Sequence, residues 1–277
     1  MNKALLLKIA RKINILSIRK RVLGFLFKKN GLELQHIYSF NNDQFFIYGV
    51  NNHFIPNESF TAFISYETQL EKCKNESLFA YQPRRGDIVL DLGAGLGEET
   101  LYYSQLVGHK GRVLAIEANP AVFEVLKKTI ALNKLSNVSI FNMAVFEKNG
   151  TINLSAGYPS YEAGSVTKEN NRNTVTIPAI RIDSFLEKQK TERIDFLKAN
   201  IEGAERYIIS TLTTMQVSKI RHIAIACHDF RYHREDNEFY KTKELVISFF
   251  AKNGFDIQTR QTGIDYLDDW VYGTNKI

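Results

Sequence analysis

Cysteine is scarce in this chain: 277 residues carry only Cys73 and Cys227. Two thiols exclude a disulfide framework and a cysteine-based zinc site, and such usage fits a reducing compartment. Long uncharged runs are missing as well, and every apolar stretch falls short of the roughly 20 residues that span a bilayer. No secretory signal is expected, because Lys and Arg break the N-terminal apolar runs and no small-residue cleavage site follows them. There is no G-x-x-x-x-G-K-[ST] segment, so P-loop chemistry has no support. Repeats and low-complexity tracts are also missing. A hydrophobic fraction of 44% is ordinary, and the length fits one large α/β domain with an N-terminal extension.

Acid is absent from one place in particular. Residues 1–30 hold nine Lys and Arg and no Asp or Glu. The whole chain has a net charge of +6, so residues 31–277 sum to −3. The basic balance thus belongs to the extension and not to the body. A nucleic-acid substrate would need a basic face beside the chemistry, so none is expected. Leu5, Leu6, Ile9, Ile13 and Leu16 recur at helical spacing with cations between them. That pattern suits a helix on an anionic membrane surface, and equally a basic helix packed on its own domain. The expected location is cytoplasmic, with peripheral contact at the inner membrane face as the further option. The sequence sets no oligomeric state.

The spacing predicts three regions: a basic amphipathic helix over 1–30, a cap of short strands and a helix over 31–83, and a main domain over 84–277. In the cap, Ile37, Phe45, Phe46, Ile47, Tyr48 and Phe54 surround Asn-rich turns, and a helix is expected over 64–82, before Pro83. Strands are expected at 87–91, 112–117, 137–143, 195–201 and 221–227, alternating with helices. Asn119-Pro120 reads as an N-cap followed by proline at the first helical position. Residues 144–181 break the alternation as an inserted hairpin, in which the polar stretch Tyr158 to Asn173 reads as a lid. The segments 254–260 and 270–274 read as two antiparallel strands.

Residues 87–119 read DIVLDLGAGLGEETLYYSQLVGHKGRVLAIEAN. An apolar run ends in Asp91, a glycine turn follows, then a helix, then a second apolar run that stops at Glu117. This is half of a nucleotide-binding α/β unit, in which a carboxylate about twenty residues beyond the turn accepts bonds from ribose hydroxyls. Gly93, Gly95 and Gly97 give G-x-G-x-G, not the dinucleotide G-x-G-x-x-G. Glu98 and Glu99 come next, and two carboxylates at a helix N-terminus would repel a pyrophosphate. S-adenosylmethionine has no phosphate, and its sulfonium and ammonium are cationic, so Asp91 and the acidic turn suit it best. A nicotinamide cofactor and a turn that binds nothing stay open on the residues alone.

The stretch from Val89 to Pro120 resembles the class I S-adenosylmethionine-dependent methyltransferases. Residues 195–205, DFLKANIEGAE, with Arg181-Ile182-Asp183-Ser184-Phe185 before them, resemble the FkbM family of O-methyltransferases over roughly residues 84–274. The resemblance implies a Rossmann-like α/β fold with a seven-stranded, mostly parallel sheet and a reversed C-terminal hairpin. It also implies that Asp91, Gly93, Ala94 and Gly95 surround the methionine moiety and that Glu117 holds the ribose. Ala118 and Asn119 then lie beside the adenine, with Asn142, Met143 and Ala144 at its edge, although Met143 also fits as core filler. Glu202 and Glu205 open a helix, where the dipole by itself favours carboxylates. Asp183 is most simply an N-cap, and Lys198, inside a strand, needs a partner or a cleft.

One position departs from the family pattern: Asn200 stands where the family has Asp. Asn can ligate a hard cation through its carbonyl oxygen but cannot act as a base. His228 and Asp229, ending the next strand, are the substitutes, with His228 the expected general base because an imidazole titrates near neutral pH. Asn200, Glu202, His228 and Asp229 form the expected catalytic group. Asn200, His228 and Asp229 are also the candidate ligands for Mg²⁺ or Mn²⁺. The Asn/Asp-Pro-Pro-(Tyr/Phe) segment of amino-methylating enzymes and the Pro-Cys nucleophile of cytosine-C5 enzymes are both missing, which favours oxygen as the methylated atom. The expected acceptor is a hydroxyl, on a glycan sugar by the family's habits. A small natural product, or a catalytically silent module that only binds S-adenosylmethionine, are the alternatives.

Overall fold

The structure, a computed structural model, describes residues 16–61, 63–155 and 174–276. Its centre is a seven-stranded sheet built from β4 (Ile88–Leu92), β5 (Arg112–Glu117), β6 (Val138–Asn142), β10 (Ile194–Ala199), β11 (Ile220–Ala226), β12 (Phe255–Gln258) and β13 (Trp270–Asn275). The spatial order is β12-β13-β11-β10-β4-β5-β6. Pairing is parallel from β11 to β6, and β13 runs antiparallel between β11 and β12. The expected sheet with a reversed terminal hairpin is therefore present. Strand order reverses between β4 and β10, which opens a crevice beyond their carboxyl ends.

Alternation along the strands sends successive side chains to opposite faces. Leu90, Leu114, Leu197 and Ile225 point to a core shared with α5 (Ile182–Lys188), α6 (Glu205–Thr211) and α9 (Lys243–Lys252) through Phe185, Ile208 and Phe250. Val89, Val113, Phe196 and Ala224 point the other way, to Tyr102, Tyr103 and Val107 of α3 (Glu98–Val107). The predicted cap of α4 (Pro120–Leu132) is as expected: the Asn119 side chain accepts a bond from Ala121 N at 3.0 Å, and Pro120 opens the helix.

Residues 34–57 form a separate antiparallel sheet, β1 (Leu34–Phe40), β2 (Phe45–Val50) and β3 (His53–Asn57). One face packs on α1 (Leu16–Lys28) through Phe46, Tyr48 and Ile55 against Leu23, Leu26 and Phe27. The other face packs on the main domain, with Phe45 and Ile47 against Leu96, Val122 and Val125. Asn133, at the end of α4, exchanges two hydrogen bonds with the Phe54 backbone and so closes the free edge of β3. The helix expected over 64–82 is shorter, α2 (Tyr66–Asn75), capped by Ser65. Beyond it the chain turns, and Ser77 and Leu78 are buried.

The expected inserted hairpin is present as β8 (Gly150–Ser155) and β9 (Thr174–Ile180), with β7 (Ala144–Val145) added in parallel to β9. The lid segment Tyr158 to Asn173 lies outside the described residues, as do Leu5, Leu6, Ile9 and Ile13. No described helix is long and apolar enough to cross a membrane.

Candidate active site

A cleft of about 580 Å³ lies beyond the carboxyl ends of β4, β5, β10 and β11, within the size range of small-molecule sites. Gly93, Ala94, Gly95, Glu117, Ala118, Asn119, Met143, Ala144, Asn200, Glu202 and His228 all line it, so most of the predicted site residues converge. Glycine is required at position 93, whose φ is +72° and where a Cβ would stand 2.0 Å from the Asn200 carbonyl oxygen. The turn after β4 and the turn after β10 are thus in van der Waals contact across the switch point.

Glu117 ties this wall together. Its Oε2 accepts from Gly95 N at 2.9 Å and its Oε1 from Asn119 N at 2.7 Å. Burial pushes its pKa up to about 7, against the opposing pull of those amides. Two predicted residues act from behind the wall. Asn142 donates through Nδ2 to the Glu117 and Ala118 carbonyls, fixing the end of β5, and does not line the cleft. Asp91 is fully buried and also set back from the cleft. It accepts from Thr100 Oγ1 at 2.6 Å and from Lys198 Nζ at 3.1 Å. Lys198 answers the question raised by a lysine inside a strand, since it bridges Asp91 and Glu99, the latter at 2.9 Å, and donates to the Gly93 carbonyl at 2.8 Å. Burial alone would lower its pKa, but Asp91 and Glu99 outweigh burial and hold the ammonium charged. Asp91 therefore shapes the turn through Lys198.

At the other end of the cleft, His228 departs from its predicted role. It is 3% exposed. Its Nε2 lies 3.2 Å from Glu202 Oε1, and its Nδ1 lies 3.1 Å from Glu205 Oε1, though outside hydrogen-bond alignment. Burial pulls its pKa down, yet Glu205 and Glu202 overcome that and raise it to about 10. Flanked by two carboxylates, it is held toward the charged imidazolium, which has no lone pair to take a proton, and this environment argues against the predicted role of general base. Glu202 is held from two sides, by His228 and by Arg231 Nη1, and these cations outweigh burial and keep its pKa below the ordinary value. It sits in a left-handed conformation, φ +57°, unusual for glutamate. Gly203 follows at φ +91° with Phe239 pressed against it, so the E-G pair makes a turn that aims Glu202 back at the cleft.

Asp229 is also corrected. Its Oδ1 accepts from the Thr242 and Lys243 amides, both at 2.9 Å, so it caps α9 and does not line the cleft. The proposed ligand set Asn200, His228 and Asp229 is thus divided between a charged imidazolium, a helix cap and a neutral amide. Among the described residues no group of three or more His, Cys, Asp or Glu side chains is arranged to hold a metal. The residues present do not fit Mg²⁺ or Mn²⁺. Asn200 itself lines the cleft, and its Oδ1 is buried without a hydrogen-bond partner among the described residues. Such an orphan is costly unless a ligand satisfies it.

Sequence reasoning placed Glu98 in the acidic turn but missed Lys72 and the aromatic mouth. Glu98 lines the cleft, and burial raises its pKa to about 7. Lys72 of α2, Asn57 at the end of β3, and Glu58 and Ser59 beyond it also line the cleft. Phe230, Trp270 and the half-exposed Tyr266 line the cleft as well. No local pattern marks them, because distant segments bring them in.

Residues 91–257 match the family described as the methyltransferase FkbM domain, which is more than half of the chain. The chain belongs to the FkbM methyltransferase family. It is similar to methyltransferase sdnD of Sordaria araneosa, with 24% identity over 169 residues, 50% of this chain and 64% of that one. It is also similar to the FkbM methyltransferase structure of Methylobacillus flagellatus KT, with 17% identity, a TM-score of 0.49, and coverage of 71% of this chain and 45% of that one. Fibrillarin of Aeropyrum pernix, solved with natively bound S-adenosyl-L-methionine, matches at 13% identity and a TM-score of 0.45, with coverage of 87% of this chain and 99% of that one. This FkbM-family chain thus spans less than two thirds of the length of sdnD and less than half of the Methylobacillus chain. The E-G-x-E block, residues 202–205, supplies Glu202 and Glu205 of the cluster around His228.

Proposed function

We propose that this cleft binds S-adenosylmethionine and methylates a hydroxyl of a glycan sugar. The observation that carries the proposal is the lining itself. Glu58, Glu76, Glu98, Glu99, Glu117 and Glu202 face a cleft that also holds the orphaned Asn200 Oδ1. Lys72, Lys198 and His228 offset part of this charge, and the acidic excess that is left favours a cationic, phosphate-free ligand over a dinucleotide. Glu117, already oriented by the Gly95 and Asn119 amides, is the residue for the ribose hydroxyls. Ala118, Asn119, Met143 and Ala144 flank the adenine. Asp91 and Lys198 fix the Gly93–Gly95 turn on the amino-acid side. When bound, S-adenosylmethionine supplies an electrophilic methyl group on its sulfonium.

The protein's contribution is to hold the acceptor oxygen in line with that methyl and to exclude water. Asn200 Oδ1 accepts a neighbouring hydroxyl of the sugar and so orients the ring, which leaves the reacting O–H directed at Glu202. Glu202 is the proton acceptor. A carboxylate of low pKa suffices, because the hydroxyl becomes strongly acidic as its oxygen bonds the methyl carbon. His228 and Arg231 keep Glu202 ionised and in place, which makes them positioning residues. The sugar assignment is supported by the aromatic mouth, where Tyr266, Phe230 and Trp270 offer rings for stacking beside polar side chains. Mass spectrometry of surface glycans from cells with and without the gene tests it. Loss of one methyl increment on one sugar is expected. Unchanged glycans together with a soluble metabolite lacking the methyl would refute the glycan assignment.

A further inference from the structure

Helix α1 has two faces of different character. Leu23, Leu26 and Phe27 are buried against the β1–β3 sheet. On the outside Lys20, Arg21, Phe25, Lys28 and Lys29 are exposed, at the i, i+1, i+5, i+8 and i+9 positions of one stripe. Gly24 lies between them, with open space where a Cβ would be. None of the four cations pairs with a carboxylate among the described residues. Lys29 Nζ stands 5.0 Å above the Phe25 ring. Phe25 is 55% exposed, and a large aromatic set among cations is the composition of an interfacial anchor. Among the described residues the helix is the outermost layer here, because the sheet beneath it uses its other face on Leu96, Val122 and Val125. That same sheet ends at Asn57, which lines the cleft. Residues 31–277 are net acidic, at −3, so the basic excess of the chain lies in its first 30 residues.

We infer that the outward stripe of α1 docks this methyltransferase on an anionic lipid surface. The cations meet the headgroups and Phe25 enters the interface. The apolar face of α1 is spent on its own core, so docking is electrostatic with one aromatic anchor and the helix does not lie embedded in the bilayer. This inference does not depend on the acceptor proposed above, and its test reads no catalysis.

The full chain is sedimented with vesicles of phosphatidylcholine alone and with vesicles that also carry phosphatidylglycerol. Binding is expected only to the anionic vesicles and is expected to fall steeply at high salt. Reversing the stripe (K20E, R21E, K28E and K29E together) should weaken binding by at least ~100-fold, given the per-charge attraction to an anionic leaflet. Phe25→Ala should weaken it about 10-fold through lost apolar burial. All five positions are exposed, and circular dichroism checks that the variants fold. Phe25→Trp gives a direct reporter, because the chain's single tryptophan, Trp270, is buried. Its emission should shift to the blue with anionic vesicles and not with neutral ones. Equal binding to both vesicle types, undiminished binding by the four-fold variant, or no spectral shift would each overturn the inference. Capture by RNA in the absence of vesicle binding would overturn it in favour of a nucleic acid.

Discussion

Replacing His228 by Gln separates the imidazolium reading from the general-base reading. The ring is 4% exposed and lies between Glu205, with no exposed surface, and Glu202, at 15%. Gln keeps the bulk and some hydrogen bonding but removes the positive charge, leaving Glu205 without its cation. Breaking a buried pair in this way costs about 3–5 kcal/mol. For a domain of this size that corresponds to a fall of roughly 10 °C in melting temperature. The charge also sets a pH signature. His228 is raised in the folded protein to about 10. Its contribution is therefore complete below the free imidazole value of about 6.5 and is lost as pH rises through about 10. Melting curves of the wild type and H228Q at pH 6, 8 and 10 should show a gap that is widest at low pH and closes at the top. With S-adenosylmethionine saturating, kcat/KM for the acceptor should be flat through neutrality, with an acid limb below the ordinary carboxylate value where Glu202 protonates. An acid limb near 6.5, with H228Q as stable as wild type and inactive, would restore His228 as the base and refute the present assignment.

Other outcomes follow from the same geometry. Asn200→Ala should lower kcat about 10- to 100-fold with little change in affinity for S-adenosylmethionine, since Asn200 is assigned to the acceptor; steady-state kinetics beside calorimetry would show a loss of affinity instead if the residue holds the cofactor. Gly93→Ala places a Cβ 2.0 Å from the Asn200 carbonyl oxygen, so soluble expression or melting temperature should collapse; a well-folded variant would contradict the packing of the two turns. Activity should survive exhaustive chelation, because the Asp229 carboxylate caps a helix and His228 is charged; loss of turnover restored by Mg²⁺ or Mn²⁺ would overturn this. Binding of S-adenosylmethionine should release protons near pH 6.5, because Glu117 is raised to about 7 before ribose hydroxyls stabilise its charge; calorimetry in buffers of different ionisation enthalpy reads this, and proton uptake would contradict it.

The fold was legible where the signal is local. Asp91, the glycine turn and Glu117 lie in one stretch, and the alternation of apolar runs with helical ones implies a parallel sheet. The Asn119-Pro120 cap and the β8–β9 hairpin were legible for the same reason. What could not be read were contacts between segments distant in sequence. Position at a strand end suggested that His228 was a free imidazole, but its charge state is set by Glu202 and Glu205 on another turn. Asp229 has the same composition as a ligand or a cap, and only the placement of α9 decides for the cap. Asp91 looked like a direct cofactor contact because it ends β4, whereas its partner Lys198 comes from β10 and draws it behind the wall. The shortening of α2 reflects tertiary burial of Ser77 and Leu78 overriding helical pattern.

The most direct test of the central claim is calorimetric titration of the protein with S-adenosylmethionine, in wild type and Glu117→Ala. The expected result is one molecule bound per chain by the wild type. The variant should be weaker by about 10- to 100-fold, since it loses a charge-assisted bond to the ribose and the brace between Gly95 and Asn119. No heat with the wild type at millimolar ligand, or equal affinity in the two proteins, would contradict the assignment of this cleft.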